Sequence, residues 1–367
     1  MRSIKEVGDL QGKKVLVRTD WNVPVENGQV TDTSRILASL ETIKYILDNH
    51  GAVIVISHFG RSGDSLQPAY QEFNNIITSF FIEDPFLEEG KEKIKNLKEG
   101  EVAVLENIRK WPGELENSEE FAKKLSDFGD IYVNEAFSSS HDRHASIISL
   151  PKLLPSFAGF GLMREVESLS KAFNPPHPFL FILGGAKFDT KLPVITKFLD
   201  IADEIFVGGA LANDLWQDEG FNVGQSVVSP EINTAEIAKN PKIILPIDVE
   251  TDSHRIKKPT EIGDLEKIYD AGPETVNLLK LKIENSKFIL WNGPLGDYEK
   301  GFTRATEELA KILSESSAET IIGGGDTLAA IKNLKIEKDF SFLSTAGGAM
   351  LEFLATGTLP GIEALNK

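Results

Sequence analysis

A chain of 367 residues is too long for one ordinary hydrophobic core and divides naturally into two domains of about 150–200 residues. Its 41% apolar and 26% charged content is that of a globular protein; no apolar run nears the ~18–20 residues of a membrane span, and the N-terminal MRSIKEVGDLQGKK has no export signal. A net charge of −17 argues against nucleic-acid binding, and the lack of cysteine excludes disulfides, thiolate metal sites and cysteine nucleophiles, which fits a cytoplasmic location.

In chain order, short apolar runs alternate with amphipathic stretches. The first half carries KVLVR (14–18), AVIVIS (52–57), EVAVLEN (101–107) and DIYVNEAF (130–137), with helical patterns at 34–51 and 118–130. The second of these helices opens on a serine cap and an acidic first turn. The run LMREVESLSKAF then reads as a helix, stopped by Asn174-Pro-Pro. Beyond it come FLFILGG (179–185), EIFVGG (204–209), KIILPID (242–248), KFILWNG (287–293), ETIIGGG (319–325) and FSFLST (340–345), separated by helical segments at 191–202, 275–286 and 303–316. Continuous Val- and Ile-rich runs joined by helices predict parallel strands buried on both faces. The expected fold is α/β: two doubly wound, Rossmann-like parallel-sheet domains joined by a hinge helix. The divisions fall at 1–160 with a returning tail of about 355–367, a hinge at 161–174, and 175–354.

Ligands in such folds bind beyond the carboxyl ends of the strands, which is where the unusual residues lie. In the first half these places hold arginines: Arg18, Arg35, Arg61, Arg109 and Arg143, with Asp20, Asn22 and His58 nearby. A guanidinium is permanently charged and matches phosphate and carboxylate oxygens. In the second half they hold glycines, which let backbone amides approach phosphate. GGAKFDTK places Lys187 and Lys191 four apart, on one helical face if a helix begins there. In GGGDT, Asp326 can hold Mg²⁺ and Thr327 can cap the helix or touch phosphate; in WNGPLGDYE, Glu299 can accept ribose hydroxyls. No Walker A string, dinucleotide fingerprint, zinc spacing or nucleophile elbow occurs.

The ordered set RTDWNVP, SHFGR, LENIR, NEAFSSSH, GGAK, WNGP, GGGDT and STAGGAMLEFL resembles the phosphoglycerate kinase family along essentially the whole chain. The resemblance implies a first domain for 3-phosphoglycerate or 1,3-bisphosphoglycerate and a second for Mg-ADP or Mg-ATP. Carried over residue by residue, the acid-binding patch falls on Arg18, Arg35, His58, Arg61 and Arg109, with Asp20 and Asn22 on substrate hydroxyl or carboxylate. Lys187 then balances charge on the transferring phosphoryl group, opposite Arg35. Lys191 touches nucleotide phosphates, Asn292 lies near them, and Glu299 binds ribose. Asp326 takes Mg²⁺, with Gly324, Gly325 and Thr327 at the helix start, and Gly208 and Gly209 flank the adenine pocket.

Four departures stand out. The family's H-R-x-H is here His141-Asp142-Arg143-His144, with an acid in the arginine slot and Arg143 one place later. WNGP leads to Asp297 and Tyr298, where a small apolar residue and Phe are usual. Ala305 and Ala346 replace usual glycines, and the chain is short, with trimming expected near 62–100. These departures leave two alternatives open: a catalytically impaired homologue acting as a nucleotide-binding regulator, and a kinase for another small carboxylate. Nothing in the sequence demands more than a monomer.

Overall fold

The computed structural model describes residues 1–229 and 234–366; position 367, the end of the expected tail, lies outside them. They group into two compact units, Met1–Glu167 with Thr358–Lys367, and Ser168–Gly357. The sheet of the first unit comprises β1 (Lys14–Thr19), β2 (Ala52–Ser57), β3 (Phe80–Ile82), β4 (Val102–Leu105), β5 (Ile131–Asn134) and β6 (Ser156–Ala158), in the order β3-β4-β2-β1-β5-β6. All neighbours are parallel. Every residue of β2, and all of β1 but Lys14, is buried, because helices cover both faces and no solvent-facing alternation is needed. The order reverses between β1 and β5, so the loops leaving these two strands diverge and open a crevice at their carboxyl ends.

The second unit repeats the plan with β7 (Phe179–Leu183), β8 (Glu204–Val207), β9 (Ile243–Ile244), β10 (Phe288–Asn292), β11 (Glu319–Gly323) and β12 (Phe342–Ser344), ordered β9-β8-β7-β10-β11-β12. Its reversal lies between β7 and β10. Phe179 packs edge-on against Phe198 and Phe288, with ring centroids 5.9 and 5.1 Å away, fastening a helix to this sheet. Two doubly wound parallel sheets are therefore present, as the apolar runs predict. Among the described residues no helix is long and apolar enough to cross a membrane.

Three local readings change. KIILPID yields only the two paired residues of β9, since Pro246 has no amide to extend the ladder. The single helix expected over 34–51 is two, Ser34–Ala38 and Leu40–Asp48, broken where the Ser39 hydroxyl turns back to the Ile36 carbonyl at 2.7 Å. An antiparallel sheet of Ile256–Lys257, Val249–Thr251 and Ile268–Ala271, which the apolar runs do not announce, stands beside the second parallel sheet.

A helix, Phe160–Ser170, continues as a short turn over Lys171–Phe173 and ends at Asn174; the division between the units falls inside it. Its start is anchored on Glu135, the residue after β5. Gly161 N–H donates to Glu135 Oε1 at 2.7 Å and the Thr42 hydroxyl donates to Oε2 at 3.0 Å, while Thr42 Oγ1 accepts from Phe160 N–H at 2.9 Å. Burial pushes the Glu135 carboxyl up to about 8, outweighing those hydrogen bonds, which act in the opposite direction.

The folded chain thus keeps a proton that the unfolded chain loses above its ordinary value of 4.5, so stability should fall as pH rises from there to about 8. The slope contributed by one such proton is at most about 1.4 kcal/mol per pH unit. Glu135→Gln cannot ionise and should flatten this fall. Urea midpoints of variant and wild type between pH 6 and 9 should separate with rising pH, the variant above; parallel curves would dismiss the assignment.

Candidate active site

The crevice of the first unit is built on a buried cation. Arg18, the penultimate residue of β1, has no exposed surface. Its Nε donates to Ser146 Oγ at 2.9 Å, Nη1 to the Thr19 carbonyl, and Nη2 to His58 Nδ1 at 3.2 Å. Ser146 passes the interaction on, its hydroxyl donating to Glu114 Oε1 at 2.6 Å and its amide to Oε2 at 2.8 Å. The strand-end position predicts that Arg18 faces a ligand. Three of its five N–H donors are instead met inside the protein, because a strand residue flanked by two neighbouring strands points into a packed layer.

His58 also differs from its expected place in a basic patch. Burial, and then the Arg18 charge, push its pKa well below the ordinary value, so the ring is neutral. A guanidinium only donates, so Nδ1 accepts and the ring proton sits on Nε2, 3.7 Å from Asp20 Oδ1. Asp20 receives Arg35 Nη1 and the Ser138 hydroxyl on Oδ2, and Asn22 N–H on Oδ1 at 3.0 Å. Asn22 Oδ1 in turn accepts Gly60 N–H at 2.9 Å, and the Gly60 carbonyl accepts Arg109 Nη1 at 3.0 Å. Asp20, Asn22, Arg35, His58 and Arg109 are thereby linked into one cluster, with Arg18 beneath it. Arg61 and Arg143 are exposed, and neither guanidinium has a partner among the described residues.

Asn107 lies within LENIR, where the sequence points to a role for Arg109 alone, yet it shapes this crevice. Its Oδ1 accepts the amides of Phe59 and Arg109, both at 3.1 Å. Its Nδ2 donates to the carbonyls of Phe59, Arg61 and Asp64 at 2.6, 2.9 and 2.8 Å. One buried amide therefore shapes the loop after β2 and places Arg109 against it. A polar residue two positions beyond the buried strand VAVL is the available signal.

In the second unit the turns after β7, β8 and β10 meet with almost no side chains between them. Gly184 N–H donates to the Asn292 carbonyl at 2.9 Å and Gly185 N–H to the Pro294 carbonyl at 2.7 Å. A Cβ on Gly184 would fall 2.1 Å from the Pro294 oxygen, so only glycine permits this approach. Beside the turns opens a cavity of about 230 Å³, lined by Gly185, Gly209, Tyr269, Pro294, Glu299 and Asp326, among others. Gly208, Lys187, Lys191, Asn292, Gly324, Gly325 and Thr327 are not in its lining.

Lys187 takes a left-handed backbone, φ 65°, and the helix Phe188–Phe198 starts after it. Lys187 and Lys191 therefore do not share a helical face, contrary to the spacing argument. Lys187 is exposed; Lys191 is buried, its Nζ donating to the Ala186 carbonyl at 2.9 Å, and burial lowers its pKa. Helix Gly325–Leu334 begins after Gly324, so Thr327 lies inside its first turn and does not cap it. The Thr327 hydroxyl is buried and has no partner among the described residues. Asn292, the last residue of β10, is buried with Nδ2 3.6 Å from Met350 Sδ. Among the described residues no three His, Asp or Glu gather as a metal cage; Asp326 lies at a helix start and lines the cavity with Asp270, Asp297 and Glu299.

The family model for phosphoglycerate kinase matches residues 4–357. The chain belongs to the phosphoglycerate kinase family. It is 40% identical over 390 residues to the phosphoglycerate kinase of Thermosipho africanus, covering 98% of this chain and 96% of the relative. It is 38% identical over 394 residues to that of Clostridium kluyveri, covering 100% and 98%. Among solved structures, phosphoglycerate kinase from Coxiella burnetii superposes with a TM-score of 0.87 at 33% identity, over 99% of this chain and 98% of that one. The phosphoglycerate kinase of Pyrococcus horikoshii gives 0.89 at 29% identity, over 100% and 98%. The family activity is a kinase reaction with a carboxyl acceptor, and nothing in these relationships supports an impaired regulatory homologue.

Asn107→Ala would strand several buried carbonyls and amides at once. It should destabilise the first unit by about 2–4 kcal/mol, measured from the urea midpoint. A change under about 0.5 kcal/mol would remove Asn107 from its role in shaping the crevice.

Proposed function

We propose that the chain transfers a phosphoryl group reversibly from the acyl phosphate of 1,3-bisphosphoglycerate to ADP. The P–O bond to the acyl oxygen breaks, leaving the carboxylate of 3-phosphoglycerate, and a P–O bond forms to the terminal oxygen of ADP. No side chain is modified, so the protein's task is positioning and charge stabilisation. The observation that carries this reading is the contrast between the two crevices: guanidinium-rich in one unit, bare glycine backbone beside a cavity in the other.

In this reading the first unit binds the phosphorylated three-carbon acid. Arg35 is held by Asp20 but keeps about a third of its side chain exposed, leaving donors for substrate oxygens. Arg61 and Arg109 supply further cationic donors, while neutral His58 offers Nε2–H beside Asp20 and Asn22. Arg18 acts beneath them, fixing the His58 tautomer. Arg143 points outward and is left without a role. The second unit binds the nucleotide, with Gly208, Gly209 and Glu299 toward its nucleoside and Lys191, Asn292, Gly324, Gly325 and Thr327 toward its phosphates. The orphaned Thr327 hydroxyl at a helix N-terminus suits a phosphate oxygen.

Asp326, a carboxylate at a helix start beside the cavity, would hold Mg²⁺ together with the nucleotide phosphates. When bound, the ion neutralises phosphate charge. Lys187, exposed beside the glycine turn, takes the charge that develops on the transferring group. In-line transfer requires both ligands to meet, which motivates helix Phe160–Ser170 as the hinge and the exclusion of water from the acyl phosphate. The protein is read as a cytoplasmic monomer.

Lys187→Ala and Arg35→Ala should each lower kcat by about 10²–10⁴ in a coupled assay of 3-phosphoglycerate-dependent ADP formation, with the unfolding midpoint unchanged in Lys187→Ala and lowered in Arg35→Ala, which takes from buried Asp20 its ion-pair partner. Wild-type turnover in either variant would sink its assignment. Asp326→Ala should raise the KM for Mg-ATP at least tenfold while leaving that for 3-phosphoglycerate within twofold. Equal effects on both would remove Asp326 from the nucleotide site.

A further inference from the structure

We propose that Asp142 sets the anion affinity of the substrate crevice by competing with the substrate for Arg109. The inference rests on the reading of that crevice as the 3-phosphoglycerate site, and it goes beyond it by adding a specificity-determining acid where a cation would be expected.

The turn that carries Asp142 is pinned by its own amide, which donates to the Ser139 carbonyl at 3.0 Å. Successive side chains of the turn then point apart. Asp142 is directed inward and is about a quarter exposed, whereas Arg143 is directed outward with no partner among the described residues. Asp142 Oδ2 lies 3.4 Å from Arg109 Nη2 and 3.5 Å from His144 Nδ1, and Oδ1 lies 3.7 Å from His141 Nε2. All three distances are long for hydrogen bonds to a carboxylate. Arg109 Nε, His141 Nδ1 and His144 Nδ1 are buried polar atoms without a hydrogen-bond partner among the described residues. Arg109 Nη1 is fixed on the Gly60 carbonyl at 3.0 Å, but a bidentate clamp is lacking: the Asp142 side of the guanidinium is held loosely and keeps donor capacity unspent.

A phosphorylated carboxylate that takes Arg109 must approach the Asp142 charge, and like charges at such range repel. Burial lowers the His144 pKa, so that ring does not carry a compensating charge at neutral pH. Asp142 is thus a built-in anion of the crevice: it orients Arg109, then opposes the ligand that replaces it. The consequence is weaker binding and faster release of the acid.

The test is isothermal titration of 3-phosphoglycerate into the full chain at fixed ionic strength, together with steady-state kinetics, for wild type, D142N, D142S and D142E. D142N and D142S should bind 3-phosphoglycerate about tenfold more tightly and show a matching fall in its KM, with the KM for Mg-ATP unchanged. D142E, which keeps the charge, should stay within about threefold of wild type. Affinity in both neutral variants that equals or falls below wild type overturns the proposal, and a loss would make Asp142 a positioning residue for Arg109 instead. Should D142N melt at a lower temperature, the smaller D142S and the charge-retaining D142E still separate lost charge from lost packing. A wild type that binds no 3-phosphoglycerate would remove the parent reading and this inference with it; tight wild-type binding without tightening in the neutral variants removes this inference alone.

Discussion

An arginine with no exposed surface in the middle of a parallel sheet is the constraint around which the first unit is arranged. Moving a guanidinium out of water costs several kcal/mol even after the surroundings relax, unless its donors are met and its charge is answered. Here the donors reach Ser146, Thr19 and His58, and the answering charge is Glu114, reached through the Ser146 hydroxyl. Strand, loop and helix are tied to one cation by that set. The crevice inherits its chemistry from it: His58, neutral through burial and then the Arg18 charge, presents Nε2–H because Arg18 occupies Nδ1.

The second unit meets the opposite requirement, an absence of side chains. Its three strand-end turns approach so closely that backbone atoms occupy the room a Cβ would need. Amides at the start of helix Gly325–Leu334 lie near a small cavity that Asp326 helps to line, whereas the first amide of helix Phe188–Phe198 is already met by the Ser229 hydroxyl at 3.3 Å. Charge enters through exposed Lys187, buried Lys191 and the carboxylates of Asp270, Asp297, Glu299 and Asp326 that line the cavity. Such a surface suits a ligand that brings its own charge and its own metal, whereas the first unit suits one that must be gripped by its oxygens. Two sheets of similar topology thus serve unlike chemistry through the residues at their strand ends.

The architecture is readable from sequence because its cause is local and repeated. Continuous runs such as AVIVIS and FLFIL fit only strands covered on both faces, and helical spacers leave a parallel sheet as the consistent arrangement. The glycine turns are equally plain, since few other reasons place two or three glycines after a buried strand. Failures come where a particular local or distant contact decides the outcome. Pro246 cuts short a strand, Ser39 splits a helix, and Lys187 adopts a left-handed backbone that moves a helix start by enough to separate it from Lys191. Asn107 escapes notice because its five side-chain hydrogen bonds reach a loop more than forty residues away as well as its own turn.

Residue type and order alone specified which chemistry each half offers: permanent cations after one set of strands, bare amides after the other. They did so because strand burial is written in unbroken apolar runs, and the residues just after a buried strand of a doubly wound sheet must emerge at the ligand end. Only the folded chain decided which of those cations remain available. Arg18 is withdrawn by Ser146, 128 residues away, His58 loses its charge to burial, and a single turn sends Asp142 inward and Arg143 out. Side-chain direction and ionisation depend on neighbours that sequence distance conceals, so they belong to the tertiary structure.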